Sequence, residues 1–169
     1  MPSHMLKLVL VGDVGVGKTS LIRRVFFNEF SDDGESTVGA SFVSRTFGDV
    51  RLDVWDTAGQ ERYQALLPMY VRNADVAWVV TDRQRDLRYW TELILEQRGS
   101  ACHIITVQSK MDCGQARLPM TDCFTSAKND VGCADLLRLT LATNRPVDRQ
   151  PPNRRLRCTG ESGAWSTCC

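Results

Sequence analysis

Apolar residues along this chain fall into two patterns, compact runs and helically spaced stripes. Leu6 to Val11 (LKLVLV), Val76 to Val80 (VAWVV) and His103 to Val107 (HIITV) are runs of the kind that strands buried on both faces require. Between them, Leu21, Ile22, Val25 and Phe26, and later Leu87, Trp90, Leu93 and Ile94, recur at helical spacing and predict one buried stripe each. Phe42 to Phe47 and Val50 to Trp55 flank Gly48-Asp49, which reads as a hairpin. Asn28 to Glu35 is polar, acidic and broken by Gly34, so it reads as a mobile loop. Ala65 to Val71 predicts a short helix interrupted by Pro68. A last strand is expected in Phe124 to Lys128, and a last helix in Asp130 to Leu141 on Val131, Leu136, Leu137 and Leu141. Strands alternating with helices predict an α/β fold, a mostly parallel sheet with helices on both faces.

Composition changes this picture little until the end of the chain. The 169 residues suit one domain, and 21 basic against 20 acidic residues give no global pull toward nucleic acid or a membrane surface. No apolar run approaches the ~18 residues of a membrane span, and the first residues lack a signal-peptide pattern. Of seven cysteines, Cys102, Cys113, Cys123 and Cys133 form no CxxC pair and are expected as small core residues with reduced thiols. The domain is expected over residues 1–145. From Arg145 onward, Arg145, Arg149, Arg154, Arg155 and Arg157 cluster among Pro146, Pro151 and Pro152, which predicts a flexible basic tail over 146–169 ending in Cys168-Cys169.

Two motifs carry the chemistry. Gly12 to Thr19 (GDVGVGKT) follows an apolar run and opens a helical stripe, the setting in which this glycine spacing forms a phosphate-binding loop. The amides of Asp13, Val14, Gly15, Val16 and Gly17 would turn inward onto phosphate oxygens. Lys18 would reach the β- and γ-phosphates, and the Thr19 hydroxyl would bind Mg²⁺. Taken alone, the string also fits an ordinary glycine-rich strand–turn–helix and leaves base and reaction open. Trp55 to Tyr63 (WDTAGQERY) then ends the predicted hairpin. It places Asp56 to hold Mg²⁺ through water, Gly59 to approach a γ-phosphate and Gln60 to orient an attacking water.

With these residues in place, the chain resembles the Ras-superfamily small GTPases, and within them the Rab branch. WDTAGQERY, the TVGASF stretch and the terminal Cys-Cys are the Rab-like features, and ESTVGASF with ERYQALLPMY is most similar to the early-endosomal subgroup. The resemblance runs from about Leu6 to Asn144. It implies that Lys18, Thr19 and Ser20 bind phosphate and Mg²⁺, and that Thr37 completes the magnesium shell and senses the γ-phosphate. Lys110 would pack on guanine, and Asp112 would accept from its ring N–H and exocyclic amine. Ser126, Ala127 and Lys128 would complete the base pocket, with Phe30 near the purine. Phe42, Trp55 and Tyr70 match the aromatic triad that presents the switches to effectors, and core packing is the alternative for them.

The resemblance also implies a switch on the cytosolic face of endosomal or vesicle membranes, with a cytosolic pool, hydrolysing GTP to GDP. Hydrolysis would be slow alone and ~10⁵-fold faster with an activating protein's arginine; no arginine in cis is evident. Implied partners are that activating protein, an exchange factor, a GDP-dissociation inhibitor or escort protein, and switch-binding effectors. The chain would be a monomer, with no nucleic-acid partner. Cys168 and Cys169 match the signal for geranylgeranyl attachment, two chains holding a membrane where one holds marginally. The alternative is a degenerate GTPase that serves as an adaptor. A phosphate-loop ATPase or small-molecule kinase fits poorly with Asp112 and FTSAK.

Three departures from the family stand out. Ser109 replaces the asparagine of NKxD, a loss of about one hydrogen bond, ~0.5–1.5 kcal/mol, so nucleotide binding is expected to survive. Thirteen residues separate Asp112 from Ser126, too few for a strand and a mean helix of ~11 residues. The helix before the last strand is therefore expected to be missing or truncated, leaving either low thermal stability or a partner over the bared sheet. Val14 lies where its side chain would crowd Gln60 or an incoming arginine, which would slow intrinsic hydrolysis; the favoured alternative is that the branch tolerates varied residues here.

Overall fold

A computed structural model of the chain describes residues 2–32, 37–60, 65–82 and 84–143. The tail beyond 143, with Cys168, Cys169 and its arginines, lies outside the described residues. So do residues 33–36 and 61–64 of the two expected switches.

The apolar runs become the middle of one six-stranded sheet. Strand β1 (His4–Val11) pairs in parallel with β3 (Val50–Thr57) on one side and β4 (Val76–Thr81) on the other. The sheet order is β2-β3-β1-β4-β5-β6, with β2 (Ala40–Phe47) antiparallel to β3 through the Gly48-Asp49 turn. Strands β5 (His103–Gln108) and β6 (Cys123–Phe124) continue it in parallel. All six residues of β4 are buried, as its continuous apolar run requires.

Alternation along β1 divides the core in two. Leu6, Leu8 and Leu10 face α1 (Lys18–Ile22) and α4 (Cys133–Ala142), together with Leu21, Ile22, Phe26 and Leu136. Helix α1 runs on into a π-helical turn, Arg23–Phe27, which places Phe26 edge-on against Phe47 at 5.5 Å. On that side the Trp78 indole N–H donates to Thr140 Oγ1 across 2.8 Å. Val9 and Val11 face α2 (Leu67–Val71) and α3 (Gln84–Arg98), where Leu67, Val71, Leu87, Trp90 and Ile94 are buried. No helix among the described residues is long and apolar enough to cross a membrane.

Four local expectations need correction. Pro68 stands in the first turn of α2, where a missing N–H costs nothing, so it opens that helix instead of interrupting it. Val131 lies before α4, bridged to Ser126 and exposed. The last strand is two residues, shorter than the FTSAK reading. Of the four cysteines, Cys113 is exposed; only Cys102, Cys123 and Cys133 are buried.

The helix between β5 and β6 is missing, as the spacing requires: after a 3-10 turn at Met111–Cys113, no helix forms before Cys123. The sheet is not left bare there. Thr106 and Gln108 of β5, both buried, hold the connecting segment by side-chain hydrogen bonds. Gln108 Nε2 donates to the Ala116 carbonyl and Gln108 Oε1 accepts from Leu118 N, both at 2.8 Å. Thr106 Oγ1 donates to Asp122 Oδ2 at 2.7 Å and accepts from Asp122 N at 2.9 Å. Polar stitching replaces the apolar packing a helix would supply.

Candidate functional site

The glycine loop lies across the C-terminal ends of β1 and β4. At Gly12 (φ +145°) a Cβ would stand 2.1 Å from the Val80 carbonyl oxygen, so only glycine lets the loop leave β1 against β4. Val16 turns its side chain into the core. Lys18 is 6% exposed, and its ammonium donates to the carbonyls of Gly12 and Asp13, each at 2.8 Å. Burial pulls its pKa down to about 8, against the opposing pull of Asp56 and Asp13.

Beside Lys18, three chain segments converge on oxygen. Thr19 Oγ1 donates to Asp56 Oδ2 at 2.6 Å and shares a 2.7 Å hydrogen bond with Thr37 Oγ1. Asp56 is 2% exposed, and burial raises its carboxyl pKa above the ordinary value, the Thr19 hydroxyl opposing. Its second oxygen, Oδ1, is buried with no hydrogen-bond partner among the described residues. A carboxylate oxygen left bare beside two hydroxyls is a hard-oxygen set, the donor chemistry a divalent cation such as Mg²⁺ selects. Lys18, Thr19, Thr37, Gly59, Gln60 and Val14 line one cleft of about 140 Å³. Gly59 sits against the loop so closely that a Cβ would meet the backbone of Asp13 and Val14 at 2.4–2.5 Å.

A second cleft, about 340 Å³, adjoins the first through Gly15, Gly17, Ser20 and Ser31. Phe30, Ser109, Lys110, Asp112, Ala127 and Lys128 line it, while Ser126, also expected in the base pocket, is buried and does not. Asp112 Oδ1 accepts from Ser126 Oγ at 2.6 Å, and that bond, first among the causes, holds the carboxyl below its ordinary range. The two loops are laced by Met111 N to the Thr125 carbonyl at 3.1 Å. Arg24 Nε donates to the Ala127 carbonyl at 2.6 Å, tying the second loop to the first helix. Across the mouth, Lys128 pairs with Asp32 at 3.1 Å.

Ser109 does not face the cleft with its hydroxyl. It is 2% exposed and donates inward to the Val16 carbonyl at 2.6 Å, with a longer contact to the Thr81 carbonyl at 3.2 Å. The serine therefore braces the phosphate loop from beneath, a role that single-bond arithmetic for the base misses. Trp90 is a second omission: its indole N–H donates to Asp13 Oδ1 at 2.8 Å. Only the helical stripe signalled Trp90, and a stripe says nothing about which end of an indole is polar. Outside the clefts, Phe42, Trp55 and Tyr70 form a row with ring centroids 5.2 and 5.5 Å apart. Phe42 is 51% exposed, so the row is more than core packing.

Residues 7–112 match the family described as Roc, the Ras of Complex domain of DAPkinase. The chain is similar to the GTP-binding protein ypt5 of Schizosaccharomyces pombe (strain 972 / ATCC 24843), 41% identical over 121 residues. The match covers 66% of this chain and 57% of that relative, so the chain spans little more than half the length of the protein it matches.

Proposed function

Since the chain belongs to the Ras-like GTPases, we propose that it is a Rab-like switch that binds GTP and GDP with Mg²⁺, hydrolyses GTP slowly and acts in vesicle or endosomal membrane traffic. The observation that carries this reading is the convergence of Lys18, Thr19, Thr37, Gly59 and Gln60 on one cleft, with Asp56 hydrogen-bonded to Thr19 beside it, that opens into a second lined by Lys110, Asp112 and Lys128.

In this reading the amides of residues 13–17 and the Lys18 ammonium hold the β- and γ-phosphates. Thr19, Thr37 and, through water, Asp56 would hold the cation, which supplies charge neutralisation on the phosphate oxygens when bound. The bare Asp56 oxygen and the raised carboxyl support that assignment, because a cation would relieve both. Gln60 orients water at the γ-phosphate, and Thr37 and Gly59 sense that group, so the segments about 32–42 and 58–70 would order with GTP and relax with GDP. Asp112, ionised and steadied by Ser126, accepts from the two N–H edges of guanine, which adenine lacks. Lys110 packs on the base. In the cell, an activating protein, an exchange factor, a GDP-dissociation inhibitor or escort, and effectors reading Phe42, Trp55 and Tyr70 would act on it. Prenylation of Cys168 and Cys169 would hold it to the cytosolic face of the membrane.

The test is mant-GDP binding followed by single-turnover hydrolysis of GTP. Saturable, Mg²⁺-dependent binding that GTP competes and ATP does not, followed by phosphate release, is the expected result. Binding without phosphate release would favour the adaptor reading, which the shortened β5–β6 connection supports. No binding at all would overturn the switch.

A further inference from the structure

The helix that follows the phosphate loop carries two consecutive arginines with opposite fates. Arg24 is fully engaged, its guanidinium bonded to Ala127 and Asn28. Arg23 is exposed, and its guanidinium has no hydrogen-bond or ion-pair partner among the described residues. It stands four residues, about one turn, beyond Thr19 and so on the same side of the helix. It lines the 140 Å³ cleft together with Thr37, Gly59 and Gln60.

From this placement we infer that Arg23 is a second side-chain cation of the phosphate cleft, and that it makes the site prefer a nucleoside triphosphate over the diphosphate. The inference rests on the switch reading and adds a residue that no motif identifies. The physical case is a difference of charges. Lys18 already answers the phosphates common to both nucleotides, while the γ-phosphate brings one further negative charge to the end of the cleft where Thr37 and Gln60 stand. A guanidinium is always protonated, and its planar fork suits phosphate oxygens. Among the described residues it has no bond to break in reaching them. Its solvent exposure lowers the strength of the contact, which sets the scale of the effect.

The experiment compares the wild-type full chain with Arg23→Gln and Arg23→Lys. It measures affinity for mant-GDP and for a non-hydrolysable mant-GTP analogue with Mg²⁺, at low and moderate salt. Arg23→Gln is expected to weaken the triphosphate roughly tenfold and the diphosphate much less, to flatten the salt dependence of triphosphate binding, and to melt like wild type without nucleotide. Arg23→Lys is expected to recover part of the preference. Equal weakening of both nucleotides, or no change in either, would overturn the inference while leaving the switch intact. Tighter binding of both with a stronger hold on Mg²⁺ would also overturn it, by making the guanidinium a competitor of the cation. A wild type that binds neither nucleotide removes the switch reading and this inference together.

Discussion

Trp90 and Asp13 join α3 to the phosphate loop: the buried indole N–H donates to the Asp13 carboxylate at 2.8 Å. The carbonyl of the same aspartate accepts from Lys18, and Gly59 presses on its backbone. One residue thus ties the loop to a helix, to the phosphate lysine and to the root of the second switch. Trp90→Phe keeps most of the ring volume and removes the donor. It should cost about 1–2 kcal/mol in urea unfolding and speed mant-GDP release. Asp13→Asn, which keeps an acceptor at the same place, should cost much less than Asp13→Ala in both measurements.

Ser109 gives a separate expectation. Ser109→Ala leaves the Val16 carbonyl without the hydroxyl that now meets it beneath the loop. An unsatisfied buried carbonyl costs ~1–3 kcal/mol, so GDP dissociation should quicken by up to about a hundredfold. Stopped-flow displacement of mant-GDP reads this directly, and an unchanged rate would mean the brace is not felt at the nucleotide.

Val14 is 54% exposed and lines the phosphate cleft with Gln60. Val14→Gly should therefore accelerate single-turnover GTP cleavage while leaving mant-GDP affinity within about twofold, since only the space above the loop changes. No acceleration would clear the valine of any part in slow hydrolysis.

The buried lysine makes stability depend on pH. Lys18 is pulled from 10.5 to about 8 by burial, so between these values the unfolded chain holds a proton that the folded chain does not. Stability then rises with pH across that window, and below it the cost of a buried ammonium is fully present. In nucleotide-free protein, the stability difference between wild type and Lys18→Met should shift in favour of wild type by up to about 3 kcal/mol as pH rises from about 8 to 10.5. That shift should be complete only above the unfolded value of 10.5, as paired urea melts would register. Opposing shifts of Cys102 and Cys133, pushed up to about 11 and 12 by burial, are common to both proteins and cancel in the difference.

The stitched β5–β6 connection should fail through its buried glutamine. Gln108→Leu keeps the volume but strands the Ala116 carbonyl and the Leu118 amide, which should cost ~1–3 kcal/mol. Hydrogen exchange should rise across residues 114–122 before it rises in β1 or β4.

The central strands and main helices were legible because burial on two faces writes itself as a continuous run and burial on one face as a stripe. The missing helix was legible too, since length alone forbids it. What covered the gap was not, because Thr106 and Gln108 look like ordinary polar residues until their partners, 8 to 16 positions away, are seen. Motif spacing named the residues of both clefts. It was silent on Trp90, Arg23 and the inward turn of Ser109, all of which depend on contacts across 77 and 93 residues of chain or on the direction a helix faces. Pro68 and Val131 were misread for a smaller reason: element ends are set by hydrogen bonds that hydrophobic periodicity does not record.

The bond between Trp78 and Thr140 spans 62 residues, and it bears on how the chain is made. The glycine loop leaves the ribosome ahead of the rest of the fold, yet its strand finds partners only when β3 and then β4 have been synthesised. The core beneath its helix closes only after α4 has emerged. At ~5–20 residues per second, several seconds pass in which β1 is present without the neighbours that bury it. The earliest motif in the chain is thus among the last to acquire its shape, and a nascent chain halted before residue 140 would offer chaperones an open sheet.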